Sequence, residues 1–286
     1  MNPVEYCQSK VAQPGTSLYY SLLFLPEHQK QAVTALYAYQ KEISDIVIEC
    51  PEIIIAETKL QWWQEEISRL FAGHPKHPIT QSLAYPISIY NLPQELFLKV
   101  IEGVTRNLEQ FTYPTFENLV LYCYQIAGTI SAMAAKIYGY QDQKTRKYAE
   151  QLGIALQLTH ILRNVRQDAD RGRVYLSQDT LDSLSISIED LLAGNNNIQN
   201  LSALFAHYAS QIRHYLHNAL TLLNKHNYYS QRAGLIQAAL CLSVLDAIEE
   251  DGYLLLQRQT TLTPLRKLWI AWRTSRRSQR GLIPKH

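Results

Sequence analysis

The stretch from Ala149 to Leu176 concentrates side chains that bind cations and anions. His160, Asn164 and Asp168 follow one another at intervals of four, which on a helix stacks an imidazole, an amide and a carboxylate in one column. Gln157, Arg163, Arg166 and Gln167 add hydrogen-bond donors around them, and the run closes on Arg171, Gly172 and Arg173. Hard divalent cations take oxygen donors, and guanidinium forks suit phosphates. The column therefore reads as a metal or anion site. The plain alternative is a solvated helix face, which is what an arbitrary charged helix usually presents. A second group lies upstream, where Glu42, Asp45 and Glu49 are spaced i, i+3 and i+7 as a carboxylate cluster. An acidic surface stripe is the competing reading there.

Both groups need helices to carry them. Nearly every segment repeats its apolar residues with a period near 3.6, and strand-like alternation is scarce, so the fold class is all-α. No linker rich in Gly, Pro or Ser divides the chain, and residues 1–286 read as a single domain. Periodicity and punctuation predict a helix from Glu27, just after Pro26, to about Glu49, stopped by Pro51. Further helices are predicted over Ala56–Ala72 with Gly73 as its end, after Pro78, over Leu92–Phe111, and over Thr115–Tyr138 ended by Gly139. The central helix follows. Between Ser177 and Asn200 the chain turns polar around Gly194-Asn195-Asn196-Asn197 and reads as an exposed loop with one short helix. Helices resume over Leu201–Asn224 and Gln231–Gln257, and a last one follows Pro264.

Composition narrows the function classes. A chain of 286 residues, 47% hydrophobic and 18% charged, can bury a sizeable core. A net charge of +2 argues against a dedicated nucleic-acid binder. Cys7, Cys50, Cys123 and Cys241 are scattered with no CxxC pair, which fits free thiols rather than a zinc site or a disulfide frame. The first residues lack a signal-peptide pattern, and no apolar run approaches the roughly eighteen residues of a membrane span. The expected location is the cytoplasm, free or peripherally attached to a membrane. After Pro264 come Arg266, Lys267, Arg273, Arg276, Arg277, Arg280 and Lys285, with no acid. Together with Leu265, Leu268, Trp269, Ile270 and Trp272 they make residues 263–286 either a basic amphipathic segment suited to an anionic membrane or a packed terminal helix with a basic tail.

QLTHILRNVRQDADRGRVYL, residues 157–176, resembles the second aspartate-rich segment of the squalene and phytoene synthase family, with Asn164 in place of its first aspartate and His160 in place of an asparagine. Ser17-Leu18-Tyr19-Tyr20, Leu25-Pro26 and Ala35-Leu36-Tyr37-Ala38-Tyr39 are similar to the elements that lead into the family's first acidic motif. In that motif Lys41 replaces arginine, Ser44 and Ile48 replace the two aspartates four apart, and Asp45 and Glu49 remain acidic. Residues 113–117 and 121–128 resemble the family's YPTFE and LYCYRVAG elements. Asn107 stands where another acid is usual. Ile248–Tyr253 and Leu265–Ala271 are similar to elements of the bacterial squalene-forming branch.

The resemblance implies an isoprenoid-synthase-type helical bundle around an apolar cavity. It also implies joining of two isoprenoid diphosphates, with farnesyl diphosphate the expected substrate, head to head through a cyclopropyl intermediate such as presqualene diphosphate. On that basis Ser17, Lys41, Arg163 and Arg173 would contact diphosphate. Tyr37 and Tyr122, with Arg163, would serve the catalytic steps. Magnesium would be left with Asp45, Asp168, Asn164, His160 and Glu49, a weakened set that leaves room for another divalent metal or none. A glycine-rich dinucleotide fingerprint is not visible, so NADPH is not supported. The competing reading is a non-catalytic member, a prenyl-lipid-binding or assembly protein that kept the cavity and lost the metal chemistry.

Overall fold

The computed structural model describes residues 2–50, 52–108, 112–140, 142–193 and 198–282. Among them there is no strand, only an isolated bridge between Tyr113 and Ser177. The helices are α1 (Pro3–Val11), α2 (Ser17–Leu22), α3 (Glu27–Glu49), α4 (Ile53–Phe71), α5 (Pro78–Tyr90), α6 (Gln94–Leu108), α7 (Phe116–Cys123) and α8 (Thr129–Tyr138). They continue as α9 (Gln143–Ala169), α10 (Gln178–Ser183), α11 (Ile188–Ala193), α12 (Ile198–Leu222), α13 (Arg232–Glu250) and α14 (Pro264–Gln279).

The two helices that carry the candidate chemistry are also the scaffold. α9 packs against α12, α8, α13 and α7, while α3 packs against α1, α5, α8, α6 and α4. Leu152, Leu158, Ile161, Leu162 and Val165 turn one face of α9 into the core, which leaves its polar column facing outward. Asp142 caps this helix by accepting from the Thr145 amide at 2.9 Å, and Asn227, in the short turn between α12 and α13, donates to the same carboxylate. One close approach sets the depth of the packing. A Cβ on Gly153 of α9 would lie 2.4 Å from the Ala127 carbonyl oxygen, so only glycine lets α9 seat there.

Local rules place α3 where expected, from Glu27 to Glu49; Pro51 lies outside the described residues. The predicted Thr115–Tyr138 helix is broken by a π turn over Tyr124–Gly128 that separates α7 from α8. An inserted residue of this kind leaves the apolar period nearly intact, which is why spacing alone did not reveal it. The polar stretch after Ser177 holds two short helices, α10 and α11, rather than one, and Gly194–Asn197 lie outside the described residues. α13 ends at Glu250, earlier than its apolar spacing suggests, because Gly252 and Tyr253 take positive φ and turn the chain back.

Buried Glu66 fixes the turn between α4 and α5. Burial alone would raise its pKa, but the backbone amides of His77 and Lys76, the Thr80 hydroxyl and the Arg69 guanidinium all donate to it and hold it at about 2.

Candidate active site

The polar column of α9 opens into two different surroundings. Its N-terminal part faces a cleft of about 160 Å³ bounded by α2, α9 and α13, with Ser17, His160 and Arg163 on its polar side and Leu156, Leu240 and Val244 on its apolar side. Lys41 and Asp45, on α3, lie within electrostatic reach of His160. Asp168 sits two turns further on, about 12 Å along the axis, among Arg171, Arg173 and the rings of Tyr122 and Tyr175.

In the cleft the charges are mostly positive. Arg163 is largely withdrawn from water, and its one protein partner among the described residues is the Thr260 carbonyl oxygen at 3.3 Å, with no carboxylate beside it. Burial lowers its pKa accordingly. Lys267, from the first turn of α14, donates to the Gly15 carbonyl at 2.7 Å, and burial and the nearby Arg163 lower its pKa as well. An acceptor arriving between two such partly desolvated cations would relieve the cost of both.

His160 is neutral at ordinary pH. Solvent reaches the ring, yet the cleft walls surround it, and this burial with Arg163 and Lys41 nearby brings its pKa down to about 4. Asn164 Nδ2 donates to His160 Nε2 at 2.9 Å, and Asn164 Oδ1 accepts from Gln259 at 2.9 Å. The amide therefore has both ends engaged. Cys241 also lines the cleft, but burial pushes its thiol up to about 11 and its Sγ shares a hydrogen bond with Thr159, so it is no nucleophile near neutrality.

The tyrosines form a second group. Tyr122 stacks against Tyr175 at 5.9 Å and lies 5.3 Å from the Tyr113 ring. Asn107 binds them together: it accepts from Tyr113 at 2.9 Å, donates to Tyr175 at 3.1 Å, and its carbonyl accepts from Arg173 at 3.1 Å. Tyr37 belongs to neither set. It lies beneath the cleft and donates to Gln237 at 3.2 Å.

These positions bear on the expected metal ligands. Asp45 is gripped by Lys41, with Nζ near both carboxylate oxygens. Glu42 pairs with Lys10 of α1 instead, and Glu49 is exposed at the end of α3 toward Lys59. The Glu42, Asp45 and Glu49 cluster is thus divided among three partners. Ile48, on the face where the motif has an acid, is 46% exposed and offers no donor. Burial raises the Asp168 carboxyl to about 6. Among the described residues no three His, Cys, Asp or Glu side chains come together as a metal-binding group. The family uses a divalent metal to bind diphosphate, and magnesium needs several hard oxygen ligands in tight octahedral geometry. Here Asp45, Glu49, Asn164 and His160 do not converge with Asp168, so the residues present do not fit such a cluster.

Comparison with known proteins agrees with the fold and the motifs. The family model for squalene/phytoene synthase matches residues 11–266. This chain belongs to that family. Its members are prenyltransferases. The chain is 30% identical over 279 residues to the 15-cis-phytoene synthase of Synechococcus elongatus, covering 92% of this chain and 89% of the relative. It is 29% identical to the 15-cis-phytoene synthase of a Synechocystis strain over 94% of this chain and 84% of the other. In fold it resembles a dehydrosqualene synthase, with a TM-score of 0.83 and 21% identity over 96% of this chain and 95% of that one. The squalene synthase of Alicyclobacillus acidocaldarius gives a TM-score of 0.75 with 23% identity over 88% and 94%.

Sequence reasoning singled out Ser17, Lys41, His160 and Arg163; Ser17, His160 and Arg163 line one cleft, and Lys41 comes within electrostatic reach of His160. Lys267, Gln259 and Thr260 were not expected there. Lys267 lies in the Leu265–Ala271 element, which signalled kinship, but only the packing of α14 on α2 brings its amine to Arg163.

Proposed function

We propose that this protein binds an isoprenoid diphosphate in the α2–α9–α13 cleft and joins two such molecules head to head with release of diphosphate. The observation that supports this most directly is Arg163, a partly buried guanidinium with no acidic partner among the described residues and within electrostatic reach of Lys267. A diphosphate is an anion that suits the Arg163 and Lys267 cations, with Lys41 near His160 beside them, and Ser17 adds a hydroxyl. The apolar wall of Leu156, Leu240 and Val244 is the start of a path for the prenyl chain. At about 160 Å³ the cleft is below the roughly 300 Å³ at which ligand pockets begin, so the chain enters by moving these side chains apart. Tyr37 and Tyr122 would then steady positive charge or move protons, and Arg173 would meet a phosphate beside Asp168.

The second reading is a member that binds the same ligand without turning it over. The divided carboxylates of α3 and the neutral His160 support it, since ionising an allylic C–O bond requires strong neutralisation of the leaving group.

Incubating the purified protein with farnesyl or geranylgeranyl diphosphate, with and without magnesium, tests both readings when diphosphate release and extracted products are followed by mass spectrometry. A thirty-carbon product abolished by Arg163→Gln is the expected result. Saturable binding lost in Arg163→Gln, with no product under any condition, would establish the non-catalytic reading.

A further inference from the structure

Helix α14 is amphipathic in the reverse of the usual sense. Its inward face, packed on α13 and α2, consists of Ile270, Ala271, Thr274, Ser275 and Ser278, mostly small or hydroxyl-bearing. Its outward face carries the large apolar residues: Leu265 is 80% exposed, Trp269 54% and Trp272 50%, with Leu268 and Leu282 also exposed. The core-packing reading of these residues therefore holds only for Ile270. Arginines lie over the exposed indoles, Arg273 at 5.0 Å from the Trp269 ring and Arg276 at 5.9 Å from that of Trp272. No acid occurs in the chain after Pro264.

We propose that the outward face of α14 docks on the surface of an anionic phospholipid bilayer. Tryptophan and leucine enter the headgroup boundary while arginine neutralises lipid phosphate, and this helix has both on one face. Trp272, Arg273, Arg276, Arg277, Arg280 and Leu282 border a shallow depression there. A second copy of this chain is the poorer occupant, since a self-complementary contact through α14 would set arginine against arginine. Asp246, the acid lining the neighbouring groove between α13 and α14, is already held by Arg213 at 2.9 Å. Lys267 ties the start of α14 to the loop before Ser17, so docking brings lipid to the rim of the cleft. This attachment does not depend on whether the cleft turns substrate over.

The test is co-sedimentation of the full chain with vesicles of phosphatidylcholine alone or mixed in equal parts with phosphatidylglycerol, together with tryptophan emission. Binding is expected to the mixed vesicles alone, to weaken as salt is raised, and to shift emission to the blue. Each arginine near an anionic surface contributes about fivefold, so Arg273→Gln, Arg276→Gln and Arg280→Gln combined should cut partitioning roughly a hundredfold. Trp269→Ser with Trp272→Ser should abolish the emission shift. Circular dichroism and melting serve as the check that these outward-facing changes leave the fold intact. Failure of the wild type to bind mixed vesicles, or equal binding by folded variants, overturns the proposal. So does sedimentation equilibrium showing a dimer that the tryptophan variant dissolves.

Discussion

Lys41 Nζ lies 2.8 and 3.0 Å from the two carboxylate oxygens of Asp45, one turn further along α3. The pair stands opposite His160 and turns what the motif would use for metal into an internal ion pair. Lys41 is well exposed, so the pair adds at most about 1 kcal/mol to stability. Asp45→Asn is expected to move the melting temperature by less than about 3 °C and to raise affinity for inorganic diphosphate about fivefold by releasing Lys41. Isothermal titration with and without magnesium checks this. Weaker, magnesium-dependent binding in the variant would instead make Asp45 a metal ligand.

Two groups on α9 should pull the pH dependence of stability in opposite directions. His160 titrates near 4 when folded and near 6.5 when unfolded. The unfolded chain therefore binds the extra proton first, and stability falls as pH drops from about 6.5 to 4. Asp168 titrates near 6 when folded and near 3.8 when unfolded. Its cost is present above about pH 6, shrinks as pH falls, and is gone below 3.8. His160→Asn should flatten the acid-side loss, and Asp168→Asn should stabilise only at higher pH, each by about 1 kcal/mol after allowing for solvent screening. Melting curves of both variants from pH 4 to pH 8 distinguish the signs. An Asp168→Asn variant less stable than wild type at pH 8 would mean its carboxylate is held by Arg171 and Arg173 more strongly than burial opposes it.

Asn107 is nearly inaccessible and satisfies three partners at once, Tyr113, Tyr175 and Arg173. Removing its amide leaves the buried Tyr113 hydroxyl without its acceptor and takes one of two partners from the half-buried Tyr175 hydroxyl. Asn107→Ala should cost about 2 kcal/mol, or roughly 4–8 °C in melting temperature, and weaken the tyrosine signal in near-ultraviolet circular dichroism. Unchanged melting would show that the three rings hold their places by stacking alone.

The helices and the residues around the cleft were legible for different reasons. α3 ends where its apolar spacing and flanking residues predict, and the α9 column appears as spaced, with Asn164 touching His160. What spacing does not encode is which neighbour a side chain finds. Asp45 turned to Lys41, Glu42 crossed to Lys10, and Lys267 reached the cleft from more than two hundred residues past Lys41. The reversed face of α14 was hidden for a related reason. Apolar residues at helical spacing mark a stripe, but only the partner helix decides whether that stripe points inward.

The π turn at Tyr124–Gly128 and the seat of α9 are coupled through Gly153. A methyl group there would meet the Ala127 carbonyl oxygen at 2.4 Å, its carbon at 2.7 Å and Gly128 Cα at 2.7 Å, all of them backbone atoms that cannot swing away. Gly153→Ala must therefore either lift α9 or unwind the π turn, and both shift the Tyr122 end of α7 relative to Asp168. The expected loss is about 3 kcal/mol, seen as a fall in melting temperature of roughly 6–12 °C. Hydrogen exchange separates the two routes. Faster exchange confined to residues 124–128 marks an unwound π turn, and faster exchange along α9 marks a lifted helix. Wild-type melting with unchanged exchange in both would show that this contact relaxes without cost and that Gly153 does not set the distance between the two elements.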